Sequence, residues 1–326
     1  MRYALGIDGG GSKCDAVLID EAGTVVGWGR GGPTHLPYDP PALVDASYSR
    51  AIAGALAEAR EAELYVAGRL HEGPPRETAA QAGRIVFHLD ANEVDTAFAS
   101  VQQEWGIVVL SGTGSFVHGR TADGRHLHFG GLGPVLGDYG SAYDIGLLGA
   151  RAAFASGWTP ARRTSLADAI PRALGVAGLR DVMRRVYVDR MGRREIAALA
   201  KVVEVEARKG DRVAVDCLVR SAEELAEIAI DLVKELELVE VAFPMIAIGS
   251  VAQRSAIWWE HICRRVAKAA PRVQPLIPQF RPAVGAALLA LQAMGVSWSP
   301  VLLRRIADTQ QPFLEAADSA DHPKSD

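Results

Sequence analysis

Asp8 closes a short apolar run, Tyr3-Ala-Leu-Gly-Ile7, and is followed at once by Gly9-Gly-Gly-Ser-Lys13. A carboxylate at the end of a buried strand, beside a glycine loop, stands where a hydrated Mg²⁺ and phosphate oxygens can meet. The plainer role for such an aspartate is a turn or cap. Gly106-Ile-Val-Val-Leu110 leads in the same way into Ser111-Gly-Thr-Gly-Ser115, where glycines let a ligand reach main-chain N–H groups and the hydroxyls of Ser111, Thr113 and Ser115 offer further donors. Taken alone, that segment is equally a hairpin turn. Two strand-to-glycine-loop units in one chain predict two related halves, each offering a phosphate loop to one cleft.

These stretches carry a resemblance. Ile7-Asp-Gly-Gly-Gly-Ser-Lys13, Leu110-Ser-Gly-Thr-Gly-Ser115, Gly137-Asp-Tyr-Gly-Ser-Ala-Tyr143, Ile248-Gly-Ser-Val251 and Pro282-Ala-Val-Gly-Ala-Ala287 resemble the BadF/BadG/BcrA/BcrD ATPase family, and within it the N-acetylglucosamine and glucosamine kinase branch. The motifs run in the family's order as far as about residue 297. The resemblance implies two α/β domains of the ribonuclease H-like, actin/hexokinase type, with mixed sheets flanked by helices around a central cleft. It also implies an ATP-dependent kinase that uses Mg²⁺ and phosphorylates an amino sugar.

Residue by residue, the resemblance puts the phosphates on Gly9, Gly10, Gly11, Ser12 and Lys13 and on Gly112, Thr113, Gly114 and Ser115. Gly249, Ser250 and Gly285 match the adenosine side. Asp8 positions the metal, and Thr34 or His35, Asn92, Ser111, Gly131 and Asp138 face the sugar. Glu93, next to Asn92, stands where these kinases carry the aspartate that takes the proton of the sugar hydroxyl, and it reaches a methylene farther. Asp95 and Asp90 are rival bases, and the alternative for Glu93 is a first-turn residue stabilising a helix dipole. Cys14, Leu132 and Tyr139 also depart from the pattern; Leu132 replaces the tryptophan of the N-acetylglucosamine kinases. Those departures keep open a non-catalytic sugar or nucleotide sensor of the same fold, or a kinase for another cell-wall-derived sugar. The family's dehydratase activators hold an iron–sulfur cluster on cysteines, and the dispersed Cys14, Cys217 and Cys263 offer no such set.

The elements that must position these groups follow from periodicity. Strands are expected at Tyr3–Ile7, Ala16–Ile19, Val25–Gly29, Leu64–Ala67, Ile85–Asp90 and Val239–Ile248, with a hairpin turn at Gly23. Helices are expected at Pro41–Glu61, Arg193–Gly210, Asp211–Leu236, Ser255–Ala269 and Ser299–Ala317, and a polar tail from Ala320. The domains are then 1–105, 106–297 and a terminal segment, 298–326. The Arg193-Arg194 pair reads as a solvated face.

The chain's 326 residues, 49% of them hydrophobic, suffice for a large core in two domains. A net charge of −4 gives no pull toward nucleic acid or an anionic membrane. The start of the chain reads as no signal peptide, and no apolar run approaches about 20 residues. The expectation is a cytoplasmic enzyme whose partners are a small-molecule sugar and a second copy of the chain, as a homodimer, with no nucleic acid and no membrane.

Overall fold

The computed structural model describes residues 1–36, 38–59 and 61–321, by backbone alone beyond 315. Contacts divide the chain into two units, Met1–Glu104 with Pro278–Asp326, and Trp105–Ile277. The sequence reading drew its later boundary at residue 297, whereas residues 278–297 join the first unit because the helix they form packs on that unit's first strand.

In the first unit, strands β1 (Arg2–Gly9), β2 (Cys14–Asp20) and β3 (Val25–Gly31) form an antiparallel meander, and β4 (Ala62–Ala67) and β5 (Gly83–Leu89) add in parallel on the other side of β1. The sheet order is β3-β2-β1-β4-β5. Helix α1 (Pro41–Ala55) follows β3, α2 (Pro74–Ala82) joins β4 to β5, and α3 (Glu93–Ser100) follows β5.

The second unit repeats the plan. There β6 (Gly106–Ser111), β7 (Ser115–Arg120) and β8 (His126–Gly130) form the meander. Helices α4 (Ala142–Ala155), α5 (Leu166–Ala173), α6 (Leu179–Tyr187), α7 (Arg193–Arg208) and α8 (Arg212–Glu235) precede β9 (Phe243–Ile248). Helices α9 (Ser250–Arg254) and α10 (Ala256–Ala269) then lead to β10 (Val273–Leu276). With β9 and β10 parallel to β6, the order β10-β9-β6-β7-β8 is the first sheet's order read from the opposite edge. The return helices α11 (Pro282–Ala293) and α12 (Pro300–Asp321) belong to the first unit. Residues 322–326, the end of the expected polar tail, lie outside the described residues.

The first sheet is covered on both faces, as alternation along its strands requires. Leu5, Ile7, Ala16 and Leu18 meet Val44, Tyr48, Ala51 and Ile52 of α1. Ala4, Val17 and Ile19 meet Ala283, Ala287 and Leu291 of α11 and Ile306 of α12. Gly27, Gly29 and Gly31 sit on one face of β3, and a Cβ on them would lie within 2.0 Å of the carbonyl oxygens of Ala55, Ala51 and Ser47. Alternate glycines on the strand thus answer a small-residue stripe at i, i+4 and i+8 on α1, and helix backbone lies on sheet backbone. In the second unit a single large core surrounds Ile107, Val109, Phe243 and Met245, and it takes up both Trp258 and Trp259.

Candidate active site

Asp8 lies at the carboxyl end of β1, the end at which parallel α/β sheets present their ligand-binding loops. It lines a recess shared with Gly9, Arg69, Asn92, Glu93 and Thr96. Burial, reinforced by the charge of Glu93 and then of Asp15, pushes the Asp8 carboxyl up to about 7, and Lys13 opposes the shift. The register sets Asp8 opposite Asp15, and Asp15 opposite Arg30, in one row across three strands. Burial works to raise Asp15, but the Arg30 guanidinium, bonded at 2.7 Å, and the charges of Lys13 and Arg281 outweigh it and hold Asp15 below the usual range. Lys13 leans on Asp15 at 3.4 Å.

Glu93 is the first residue of α3, and the residues around it form a capping box. The Asn92 side-chain oxygen accepts from the N–H groups of Val94 and Asp95 at 2.9 and 3.1 Å, while the Asp95 carboxylate accepts from Asn92 N–H at 3.4 Å. Asp95 and one end of Asn92 are therefore occupied with the helix start. Asp90 is exposed ahead of that helix and does not line the recess. Glu93 is solvent-exposed at the mouth of the recess, yet the protein crowding it from behind raises its carboxyl, against the opposing charge of Arg69. A helix amino terminus favours a carboxylate by about 0.3–1 kcal/mol, so here crowding outweighs both the dipole and the guanidinium.

The loop after β1 is closed by Gly10 N–H donating to the Lys13 carbonyl at 2.9 Å, with Gly11 and exposed Ser12 at its tip. Thr34 is buried beneath that loop. Its N–H donates to the Gly10 carbonyl at 3.0 Å and its hydroxyl lies 3.4 Å from the same oxygen. A Cβ on Gly9 would meet the Tyr48 hydroxyl and Thr34 Oγ1 at 2.4 and 2.5 Å. Burial pushes the Tyr48 hydroxyl up to about 12, so it stays a protonated donor beside Thr34. Thr34 thus supports the loop, whereas the neighbouring His35 ring is exposed, against Tyr38.

In the second unit, Ser111–Ser115 is the turn of the β6–β7 hairpin. Its two serines are engaged inside the fold. Ser111 is fully buried and donates to the Gly140 carbonyl at 2.6 Å, and Ser115 donates to the Tyr139 carbonyl at 2.5 Å. Ala142 N–H donates to the Gly112 carbonyl at 2.8 Å, so the 137–142 segment is strapped to the glycine turn. This differs from the expectation that the Ser111 and Ser115 hydroxyls serve a ligand; Thr113 is half-buried, and the space beside Gly112 is open, since a Cβ there would meet nothing within 4 Å.

Asp138 is also buried. Its Oδ2 accepts from Arg193 at 2.7 Å, and its Oδ1 lies 3.4 Å from Ser115 N–H, so it holds the turn from beneath. Arg193, expected on a solvated face, is instead a nearly buried partner at the start of α7. Asp144 completes the strap by accepting from Gly140 N–H at 3.2 Å and from Ser221 at 2.7 Å. The Ser141-x-x-Asp144 spacing of a capping box was the available signal for it.

Gly249 adopts φ +91°, with the Ser111 carbonyl oxygen 2.3 Å from where a Cβ would stand. Only glycine is accommodated there. Ser250 is exposed beyond it, and Gly131, at φ +70°, donates to the Ser115 carbonyl at 2.9 Å. Gly285 faces inward in α11: a Cβ would lie 2.2 Å from the Thr96 carbonyl of α3, so the space beside it is filled by protein and its role here is helix packing. Arg69, which lines the recess, had no motif to announce it beyond its place after Gly68 at the end of β4. Among the described residues no helix is long and apolar enough to cross a membrane, and no group of three or more His, Cys, Asp or Glu could hold a metal ion.

A sequence profile of the BadF/BadG/BcrA/BcrD ATPase family matches residues 5–290. An N-acetylmuramic acid/N-acetylglucosamine kinase of Clostridium acetobutylicum is 35% identical over 144 residues, 44% of this chain and 46% of the relative, so the match spans just under half of that protein. An N-acetyl-D-glucosamine kinase of Dictyostelium discoideum is 28% identical over 215 residues, 65% of this chain and 67% of the relative. A Chromobacterium violaceum crystal structure bearing the provisional name of an N-acetylglucosamine kinase superposes with a TM-score of 0.63 at 24% identity, covering 90% of this chain and 99% of the other. With the repeated strand order, that likeness identifies the fold as the actin/hexokinase type.

Proposed function

This chain belongs to the BadF/BadG/BcrA/BcrD ATPase family, and from that premise we propose that it is an ATP-dependent kinase for an amino sugar of the N-acetylglucosamine or glucosamine type. The names of the Clostridium and Dictyostelium relatives support the substrate class. The observation that carries the chemistry is the recess in which Asp8 and Glu93 come together.

Asp8 is a single hard oxygen donor whose ionisation is opposed by its surroundings, and Mg²⁺ keeps several waters while using one or two carboxylates, so the donor suits that ion. Bound there with ATP, Mg²⁺ would neutralise charge on the transferring phosphate. Asp8 would orient the hydrated ion. The Gly9–Ser12 loop would approach phosphate oxygens through groups other than the Gly10 N–H, which already donates to the Lys13 carbonyl. Glu93 would accept the proton of the attacking sugar hydroxyl, and its raised carboxyl brings its basicity nearer neutral pH, where a general base works best. His35 and the Asn92 amide would orient the sugar, His35 being the exposed member of the Thr34-His35 pair.

The test is ADP formation with Mg·ATP and a panel of hexosamines, N-acetylhexosamines and lactyl-bearing cell-wall sugars. Turnover of an amino sugar is expected. Absence of ADP with every sugar, despite nucleotide binding, would leave the sensor reading in its place.

A further inference from the structure

Arg69 lines the recess that holds Asp8 and Glu93, and its charge acts on Glu93. Gly68 before it adopts φ +107°, against the Ile7 carbonyl, and turns the chain sharply at the carboxyl end of β4. Arg69 is exposed and makes no hydrogen bond or ion pair among the described residues, although its charge is felt by Glu93 and by Tyr48. The neighbouring cations differ, since Lys13 and Arg30 both lean on Asp15. A guanidinium near enough to act on the Glu93 carboxylate, yet not bonded to it, has its donors available, and their planar fork matches two oxygens of a phosphoryl group.

Resting on the kinase reading above, we propose that Arg69 is a catalytic residue that donates to the equatorial oxygens of the γ-phosphoryl group during transfer. In that step the bond between the γ-phosphorus and the β,γ-bridging oxygen breaks, and its electron pair leaves with ADP. A bond forms from the sugar hydroxyl oxygen to the phosphorus, and the hydroxyl proton passes to Glu93. Arg69 keeps its own protons throughout. Its donors are strongest where charge spreads over the three equatorial oxygens, so its contribution belongs in kcat rather than in binding.

The experiment compares Arg69→Gln and Arg69→Lys with the wild type, on a sugar the wild type phosphorylates. Expected for Arg69→Gln is a kcat lower by about 10³-fold, with KM for ATP and for sugar changed by less than about threefold. Arg69→Lys keeps the charge without the fork and should fall between the two. Millimolar guanidinium should restore Arg69→Gln by at least about tenfold while leaving the wild type unchanged, a response that a folding role would not give. Because the side chain is exposed, unaltered thermal unfolding is expected for both variants. A kcat for Arg69→Gln within about threefold of wild type, a loss confined to KM, or a loss that guanidinium does not relieve each overturns the assignment. An active wild type beside an indifferent Arg69→Gln refutes the role of Arg69 alone, whereas a wild type that makes no ADP with any sugar removes the kinase reading and this assignment together.

Discussion

Replacing Asp8 by asparagine should stabilise the metal-free protein at alkaline pH even as it removes activity. The carboxyl is raised from 3.8 to about 7, chiefly by burial and then by the charges of Glu93 and Asp15. Each unit corresponds to about 1.4 kcal/mol, so holding Asp8 ionised costs at most about 4 kcal/mol, and water reaching a partly exposed group reduces this to about 2 kcal/mol. A carboxyl raised in the folded state gives its full stabilisation below its unfolded value of 3.8 and loses it as pH rises through about 7. Urea unfolding in EDTA should therefore find Asp8→Asn more stable than wild type by about 2 kcal/mol at pH 8, with the gap closing by about pH 4. Millimolar Mg²⁺ should stabilise the wild type at pH 8 and leave the variant unmoved. A variant no more stable than wild type at pH 8, or a difference that does not change with pH, would refute the reasoning.

Glu93→Gln should lower kcat by about 10²–10⁴-fold while nucleotide affinity, read by calorimetry, stays within about threefold, and full activity would discard Glu93 as the base. Because the Glu93 carboxyl is raised, wild-type kcat should begin to fall, as pH is lowered, above the range of an ordinary glutamate; a profile flat down to pH 4.5 would contradict this. Gly29→Ala puts a methyl 1.9 Å from the Ala51 carbonyl and should cost about 1–3 kcal/mol in urea unfolding, with a loss under about 0.5 kcal/mol showing that α1 shifts freely. Arg193→Ala leaves Asp138 buried without its cation and should cost about 3–5 kcal/mol, an effect that Asp138→Asn in the same chain should relieve.

Local pattern disclosed what local chemistry decides. The apolar runs at 3–7 and 106–110 form the central strands, and the glycine loops follow them as expected. Asp211 caps α8, with its carboxylate accepting from Val213 and Ala214, as the Gly210-Asp211 pair indicated. The strand pairs at the two ends of the second sheet were harder to see. The His126-Leu-His-Phe129 alternation of β8 lasts only two periods and β10 is four residues long, so each is too short to stand out. The destination of α11 was not legible either, because a helix that is apolar on nearly every side announces that it is buried without saying against what. At the site, Asp8 and Glu93 were readable because a strand end and a helix start fix their places. The engagement of Ser111, Ser115, Asp138 and Arg193 depends on bonds between residues 24 to 55 positions apart, and no spacing along the chain encodes them.

Helix α11 packs on β1 and α3, and its Ala283 and Ala287 close over Gly6. During synthesis from the amino terminus, β1 must therefore wait for a cover that leaves the ribosome nearly the whole chain later, whereas Trp105–Ile277 is contiguous and holds all its own parts. The inserted unit is equipped to mature first, and until it has done so the opening strands keep one apolar face of their sheet open to water and to chaperones.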